Sequence, residues 1–476
     1  YDLDFFGPHS LFHNLNRAGT FAGKKKLAEN LLFLNTSNEI KARQRAIEEL
    51  AKKTEWRQHF LAIARLSKDS KESCEQLIAW AEKKETKVSK FLMVLAFVLP
   101  ALMALSFILS LVLNNGYLSG IASDLFLINV FILFTQFKKI KAEVGKAERI
   151  DEIVKQYSKI IKHIENENFE SEKLSDLKKD LVQDEIPASK HIKKLSDLFS
   201  GLGNIQNGIG AVLLNGLYLF HLHNLNSLYN WKIKHAQKIK NWMNVFAEFE
   251  ALNSLANFSY NNPAFVFPQL NDKHAIEIKN CGHPLIAADK RVCNDCEFTN
   301  NRFIILTGSN MSGKSTFLRT LGINMILTGT GSVVCATEAN IHPLNVLVSM
   351  RLADSLTESE SYFFAEVKRL KEIMDRLSQQ VCFVILDEIL RGTNSDDKRS
   401  GTIEVVKKII EKGAIGAIAT HDLEVCKTTD EYPTILSNKC FEVEIINDEL
   451  VFDYKLRNGI CQNKSATFLM KKMGII

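Results

Sequence analysis

Phe303-Ile304-Ile305-Leu306-Thr307-Gly308-Ser309-Asn310-Met311-Ser312-Gly313-Lys314-Ser315-Thr316 is the stretch whose reading decides the fold. Four consecutive apolar residues read as a strand buried on both faces, and the run breaks at Gly308 into a loop that ends Gly-Lys-Ser, matching G-x-x-x-x-G-K-[ST]. Such a loop binds phosphate. Its glycines let backbone N–H groups turn inward toward a polyphosphate, Lys314 neutralises the outer phosphates, and the Ser315 hydroxyl suits a Mg²⁺ shell. The spacing predicts a helix from Lys314 to about Thr328, which adds a helix N-terminus to the anion site. The nucleotide-binding residues expected here are Gly308, Ser309, Asn310, Met311, Ser312, Gly313, Lys314, Ser315 and Thr316.

Downstream, Val381-Cys382-Phe383-Val384-Ile385-Leu386 is a second continuous apolar strand, and Asp387-Glu388 sit at its carboxyl end, where open α/β sheets place their ligands. Asp387 is the expected holder of Mg²⁺ together with Ser315, and Glu388 the expected polariser of the attacking water. Ala414 to Thr420 reads as a third strand that ends at His421, an imidazole placed to sense the γ-phosphate. ATP and Mg²⁺ are the expected ligands, with Glu388 and His421 catalytic.

Length and composition set wider bounds. At 476 residues and 46% apolar content the chain is long enough for several domains with real cores. A net charge of +5 on 60 basic and 55 acidic residues is too mild to argue nucleic-acid binding by itself. Nine cysteines without a disulfide-like framework suit a reducing cytoplasm. The chain begins at Tyr1 rather than Met, so it is expected to be processed or truncated.

Residues 24–90 are charged and amphipathic, with apolar residues at helical spacing through Leu27, Leu31 and Leu32 and through Ile47, Leu50 and Ala51. At Phe91 the character changes. Phe91 to Leu113 holds no charged residue, and after Asn114-Asn115-Gly116 a second run from Tyr117 to Phe137 holds only Asp124. Each run is long enough to cross a bilayer core, so residues 91–137 read as a transmembrane hairpin. Lys83, Lys84, Lys87 and Lys90 precede it, Lys138, Lys139 and Lys141 follow it, and the connecting loop has no Lys or Arg, so both outer ends are expected in the cytoplasm. Asp124 is expected against the partner helix or near the outer interface. From Ile140 to Lys194 the pattern is again charged helix. A third apolar patch, 205–222, is shorter and broken by Gly208, Gly210, Asn215 and Gly216, and reads as a buried or interfacial helix. Trp231 to Phe258 is helical and ends at Asn261-Asn262-Pro263. Cys281, His283, Cys293 and Cys296 approach the spacing of a zinc site.

These motifs together resemble the MutS family of DNA mismatch-repair ATPases. The family's phosphate loop, Gly-Pro-Asn-Met-Gly-Gly-Lys-Ser-Thr, is met by Gly308 to Thr316 with Ser309 for Pro and Ser312 for Gly. Its Asp-Glu-x-x-Arg-Gly-Thr block is met by Asp387 to Thr393, and its Ala-Thr-His by Ala419-Thr420-His421. His283-Pro284 and Asn294-Asp295 fall on the family's His-Pro and Asn-Asp pairs, which accounts for them without zinc. Ala251 to Ala256 and Ser10 to Gly23 are similar to the end and the beginning of the family's helical core.

There are departures too. The family's Ser-Thr-Phe-Met-x-Glu-Met is met by Ser361-Tyr362-Phe363-Phe364-Ala365-Glu366-Val367, which keeps only Ser361 of the pair that reaches a neighbouring subunit's ATP site. No counterpart of the mismatch-reading N-terminal domain is expected, and Phe246-Ala247-Glu248 and Phe364-Ala365-Glu366 match its Phe-x-Glu wedge only incidentally.

The resemblance implies a helical core and lever domain carrying the hairpin, followed by a P-loop α/β ATPase domain of the ABC type, an α plus α/β chain. The expected divisions are 1–90 for the first part of the core, 91–137 for the hairpin, 138–262 for the lever and second part of the core, and 263–476 for the ATPase. It implies a homodimer with composite ATP sites completed by Ser361, and DNA as a partner. The competing reading is an ABC-type ATPase coupled to membrane transport or remodelling. An exporter should show an L-S-G-G-Q-like signature and further spans, and this sequence has neither.

Overall fold

The computed structural model describes residues 3–67, 69–83, 87–182, 186–203, 208–300, 302–350, 362–446 and 449–461. It is a mixed helical and α/β chain that divides into two compact units. One comprises residues 1–16, 28–52 and 254–476, the other residues 17–27 and 53–253.

The first unit is built on a six-stranded sheet in the order Leu456–Asn458, Leu436–Phe441, Phe303–Gly308, Ile415–Ala419, Cys382–Asp387, Asn345–Ser349. All neighbours are parallel except the first pair. The apolar runs of the sequence explain the centre of this sheet. Every residue of Phe303–Gly308, Cys382–Asp387 and Ile415–Ala419 is buried, as strands covered on both faces must be. Gly416, at φ +152°, is needed between its neighbours, because a Cβ there would collide with the Val384 carbonyl. On one face, Leu370, Ile373, Val406 and Ile409 from two helices close over Ile305, Val384, Leu386 and Ile418. A smaller sheet orders Gln269–Leu270, Glu338–Ile341, Ile276–Cys281 and Asn294–Phe298.

Residues 28–52 pack in this unit, which the sequence-based division at residue 90 did not anticipate. Buried Arg43 donates from Nε to Thr330 O at 2.8 Å, and Asn35 Nδ2 donates to Gly329 O at 2.9 Å. These side chains serve the free carbonyls at the end of the Lys314–Thr330 helix, so the Ser37–Lys52 helix is part of this unit's core.

The second unit is helical. Tyr157, Ile160, Ile161 and Ile164 of a 50-residue helix, Gly116–Glu165, are buried, as are Trp56, Phe60, Trp242, Phe246 and Phe249. Tyr157 meets Phe246, and Trp56 stacks on His163. Glu250 is buried and accepts from Gly19 N at 2.7 Å, from Thr20 N at 3.1 Å and from the Thr20 hydroxyl.

The Lys90–Val112 helix, with Pro100 inside it, pairs with the beginning of the 50-residue helix. Asn115 caps the latter by accepting from Tyr117 N, and the Ser106 hydroxyl donates to Leu118 O at 2.7 Å across the pair. Asp124 is exposed about two turns along the second helix, not packed against the first. The second apolar run continues without a break into the charged segment after Phe137, where the sequence reading had ended its span. Phe246-Ala247-Glu248 and Phe364-Ala365-Glu366 both lie within helices.

Candidate nucleotide site

Parallel pairing brings three strand ends to one edge. Leu306 and Asp387 both register with Ala419, so Gly308, Asp387 and His421 emerge side by side. At Gly308, φ is +155°, and at Gly313, +103°, where the Lys314–Thr330 helix begins. Between them Met311 takes φ +67° and is exposed. A Cβ at Gly308 would meet the Ser312 hydroxyl and Phe441 O, so glycine is required for the loop to close this tightly.

Lys314 is buried, and its Nζ donates to Gly308 O at 2.8 Å and Ser309 O at 3.0 Å. It lies 3.5 Å from His421 Nε2. Burial pushes its pKa down, against the pull of Glu388 and Asp387. The Ser315 hydroxyl donates to Asp387 Oδ2 at 2.6 Å. Glu388 Oε1 is 2.6 Å from His421 Nε2, and Oε2 is 2.9 Å from the Arg391 guanidinium. The predicted phosphate loop, Asp387, Glu388 and His421 are therefore assembled into one site. Ser361 lies outside the described residues.

The stretch after Asp387 is strained: Glu388 and Leu390, neither a glycine, sit at φ +51° and +59°. Backbone in this region costs of order 1–3 kcal/mol per residue and persists only where surroundings enforce it. Here Glu388 N donates to Ala419 O at 2.9 Å, and Arg391 N donates to Glu366 Oε2 at 3.0 Å. Glu366 is buried, and burial raises its pKa. Arg391 and Glu366 were legible only as members of motifs; that one holds the Glu388 carboxylate and the other holds the first is visible only in three dimensions. Tyr454 was not foreseen at all. Its ring packs over Gly313, and Asn294 Nδ2 holds its carbonyl at 3.0 Å. A lone tyrosine on a strand-poor stretch carries no sequence signal.

The cleft beside the loop has a volume of about 490 Å³ and is lined by the loop itself, Glu388, Lys290, Val292, Asn294, Phe441 and Tyr454. His283 lines it too, and burial depresses its pKa to about 4. Cys281 and Cys296 are buried neighbours whose mutual hydrogen bond and burial push the Cys281 thiol pKa upward, away from the thiolate that a metal takes. Among the described residues no group of three His, Cys, Asp or Glu side chains converges as a metal cage would require.

The residues present fit a nucleoside triphosphate with its cation. The Ser309 and Ser312 hydroxyl oxygens are buried with no partner among the described residues, in a loop whose shape points polar groups inward. Ser315 and Asp387 offer a hydroxyl and a carboxylate in contact, an all-oxygen donor pair suited to Mg²⁺.

Residues 304–474 match the family model described as MutS domain V. Over these residues the chain belongs to the MutS domain V family. It is 28% identical over 250 residues to the DNA mismatch repair protein MutS of Thermotoga petrophila and 33% identical over 245 residues to that of Ehrlichia chaffeensis. Each alignment covers 51% of this chain and 30% of the relative. To MutS protein homolog 4 of Homo sapiens it is 28% identical over 212 residues, 42% of this chain and 22% of that protein. The match thus spans less than a third of the length of these MutS relatives.

The electrostatics of this MutS site bear on its pH dependence. The hydrogen bond from His421 lowers the Glu388 pKa to about 2, helped by Arg391 and Lys314 and opposed by partial burial. A carboxylate depressed in the folded state stabilises it above the ordinary value of 4.5, and that contribution is lost as pH falls toward 2. Glu388 is consequently ionised throughout the neutral and mildly acidic range. In kcat/KM, which reports the free enzyme, Glu388 is expected to contribute no acid limb between about pH 5 and 7. The check is to compare pH profiles of the parent and the residual activity of Glu388→Gln. A limb in that range that the variant lacks would contradict the geometry.

Proposed function

We propose that the chain is a Mg²⁺-dependent ATPase that works as a two-fold dimer on DNA and is anchored in the cytoplasmic membrane, its nucleotide domain in the cytoplasm. The observation that carries the catalytic part is the assembled edge of the sheet: Lys314 in its loop, Ser315 on Asp387, and Glu388 held between His421 and Arg391. In this reading the phosphate loop and Lys314 hold the triphosphate, and Ser315 with Asp387 would hold Mg²⁺, which when bound supplies charge neutralisation at the phosphates. Glu388 orients a water and accepts its proton, and His421, on the same carboxylate, reports the γ-position. The proposed dimer would complete each site with Ser361 of the other copy, and one two-fold contact would then create two such sites.

The exposed apolar surface of residues 91–137 supports the membrane anchor. Phe91 is 72% exposed and Phe131 69%, with Phe97, Leu105, Phe107, Ile108, Leu111 and Phe134 beside them. Each such side chain left in water forgoes about 1.5–3 kcal/mol of burial, a surface that soluble chains avoid and lipid favours. The segments Lys90–Val112 and Gly116–Glu143, of 23 and 28 residues, are long and apolar enough to cross.

The same surface supports the second reading, an ATPase coupled to membrane transport or remodelling without DNA. One experiment separates them. Phosphate release by the intact chain in vesicles is measured with and without duplex, mismatched and branched DNA across a salt series. Stimulation by DNA that fades with rising salt is expected from the first reading. Turnover that ignores DNA at every salt concentration and responds to lipid composition would replace it with the second.

A further inference from the structure

The Gly208–Tyr218 helix has 11 residues and a length of about 16 Å, half of what a bilayer core of roughly 30 Å demands. It is nonetheless not buried. Ile209 is 79% exposed and Leu217 55%, with Leu213 and Tyr218 also exposed.

Its path follows from named contacts. The preceding helix, Ala188–Gly203, runs antiparallel to the 50-residue helix: Ser189 bonds to Glu165 and Ser158, while Ser196 and Ser200 both bond to Asp151. The Gly208–Tyr218 helix keeps that direction along the same helix. Asn129 Nδ2 donates to Gly216 O at 2.9 Å, and Gly216 has the Phe126 ring where a Cβ would stand. At Leu219, φ is +50° and the chain reverses. On return, Leu219 and Leu222 pack with Ala96 and Ile132, and His223 Nε2 lies 3.1 Å from Ala96 O. The turn therefore stands beside residues 126–132, near the middle of the second apolar run.

Two further observations fit a lipid surrounding. No Asp, Glu, Lys or Arg occurs between Asp197 and Lys232, so both legs of the turn are free of formal charge. The reversal also satisfies most of its own polar groups. Asn215 Oδ1 accepts from His221 N at 3.0 Å, Asn215 Nδ2 donates to Ala211 O at 2.7 Å and meets His221 Nδ1 at 2.6 Å, and Leu219 N donates to Asn215 O at 2.9 Å. Non-helical backbone at membrane depth persists only under such internal satisfaction.

We propose that residues 208–223 form a re-entrant helical hairpin that enters the bilayer on the side where both ends of the 91–137 pair emerge. It turns near mid-depth and lays Ile209, Leu213, Leu217 and Tyr218 against lipid acyl chains. The short helix packs on the same helix that exposes Phe131 and Phe134, and that adjacency assigns lipid as the occupant of its apolar face. This inference rests on the membrane reading of residues 91–137.

The test uses the full chain in phosphatidylcholine vesicles whose lipids carry bromine near the acyl-chain ends. Leu217→Trp, Phe131→Trp and Ile233→Trp are compared, the parent's fluorescence being subtracted and each variant's circular dichroism matched to the parent. Leu217→Trp should lose the added fluorescence as strongly as Phe131→Trp, and Ile233→Trp should keep it. If Phe131→Trp is quenched and Leu217→Trp behaves like Ile233→Trp, the re-entrant hairpin is wrong while the anchor stands. If neither is quenched, both fall. Quenching of Leu217→Trp that develops only on dilution into excess lipid would assign the face to a second copy instead of lipid.

Discussion

Lys314→Ala should leave the chain unable to hold a nucleoside triphosphate, whereas Glu388→Gln should bind it and cease to turn it over. The lysine is buried, with its ammonium group fixed on Gly308 O and Ser309 O, so it shapes the loop as well as supplying charge. Hydrogen bonds to charged groups contribute about 1.5–3 kcal/mol each, so losing two phosphate contacts weakens binding by two to four orders of magnitude, roughly. Glu388 touches neither the loop carbonyls nor Ser315; its carboxylate is held by His421 and Arg391, facing the site. An amide in its place removes a proton acceptor and keeps the shape, for a loss of about 10²–10⁴ in kcat. Nucleotide titration and phosphate release on both variants separate the effects. Equal loss of binding in the two would show that the roles are wrongly assigned.

The second large effect is expected in the membrane. The intact chain should stay with membranes through a carbonate wash, and the double variant Leu105→Lys, Phe131→Lys should not. Both side chains are exposed on the helix pair, so the substitutions spare its internal packing. A lysine near the centre of a spanning helix costs about 2.5–3.5 kcal/mol on the insertion scale, and two shift the balance by roughly 6 kcal/mol. Nucleotide binding by the double variant should match the parent, which shows that the nucleotide domain still folds. Release of the unaltered chain by carbonate would remove the anchor from the reading.

The assembly of the candidate site was legible in the sequence because parallel strands buried on both faces must be continuous apolar runs. Phe303 to Leu306 and Cys382 to Leu386 declare themselves, and ligands then sit at their carboxyl ends as topology requires. The Lys314–Thr330 helix likewise follows from the loop that precedes it. What escaped notice depends on contacts between distant segments. Nothing in residues 28–52 announces that Arg43 and Asn35 will serve the carbonyls of Thr330 and Gly329, because amphipathic periodicity says that a helix has a partner without naming it. Tyr454 reaches Gly313 through a loop fixed by Asn294, a contact about 140 residues long in sequence. The apolar patch 205–222, read as a buried or interfacial helix, concealed its reversal for a different reason. Its described part, from Gly208 on, is two legs around a reversal at Leu219, and a hydropathy window averages over the turn.

The Gly116–Glu165 helix joins the second apolar run to the charged helical core with no proline and no interruption over its 50 residues. At 1.5 Å per residue it is a rod about 75 Å long, of which the last 22 residues, roughly 33 Å, extend past Glu143. A joint would let bilayer and core reorient separately; a continuous helix does not. In a thinner bilayer an anchored helix tilts, and a tilt of about 15° would carry its far end sideways by roughly 9 Å. On the proposed membrane reading of residues 91–137, membrane thickness becomes a mechanical input to this helical unit. A probe at exposed Lys162 should change its distance from the bilayer surface as acyl chains are shortened, and an unchanged distance would mean that the rod bends.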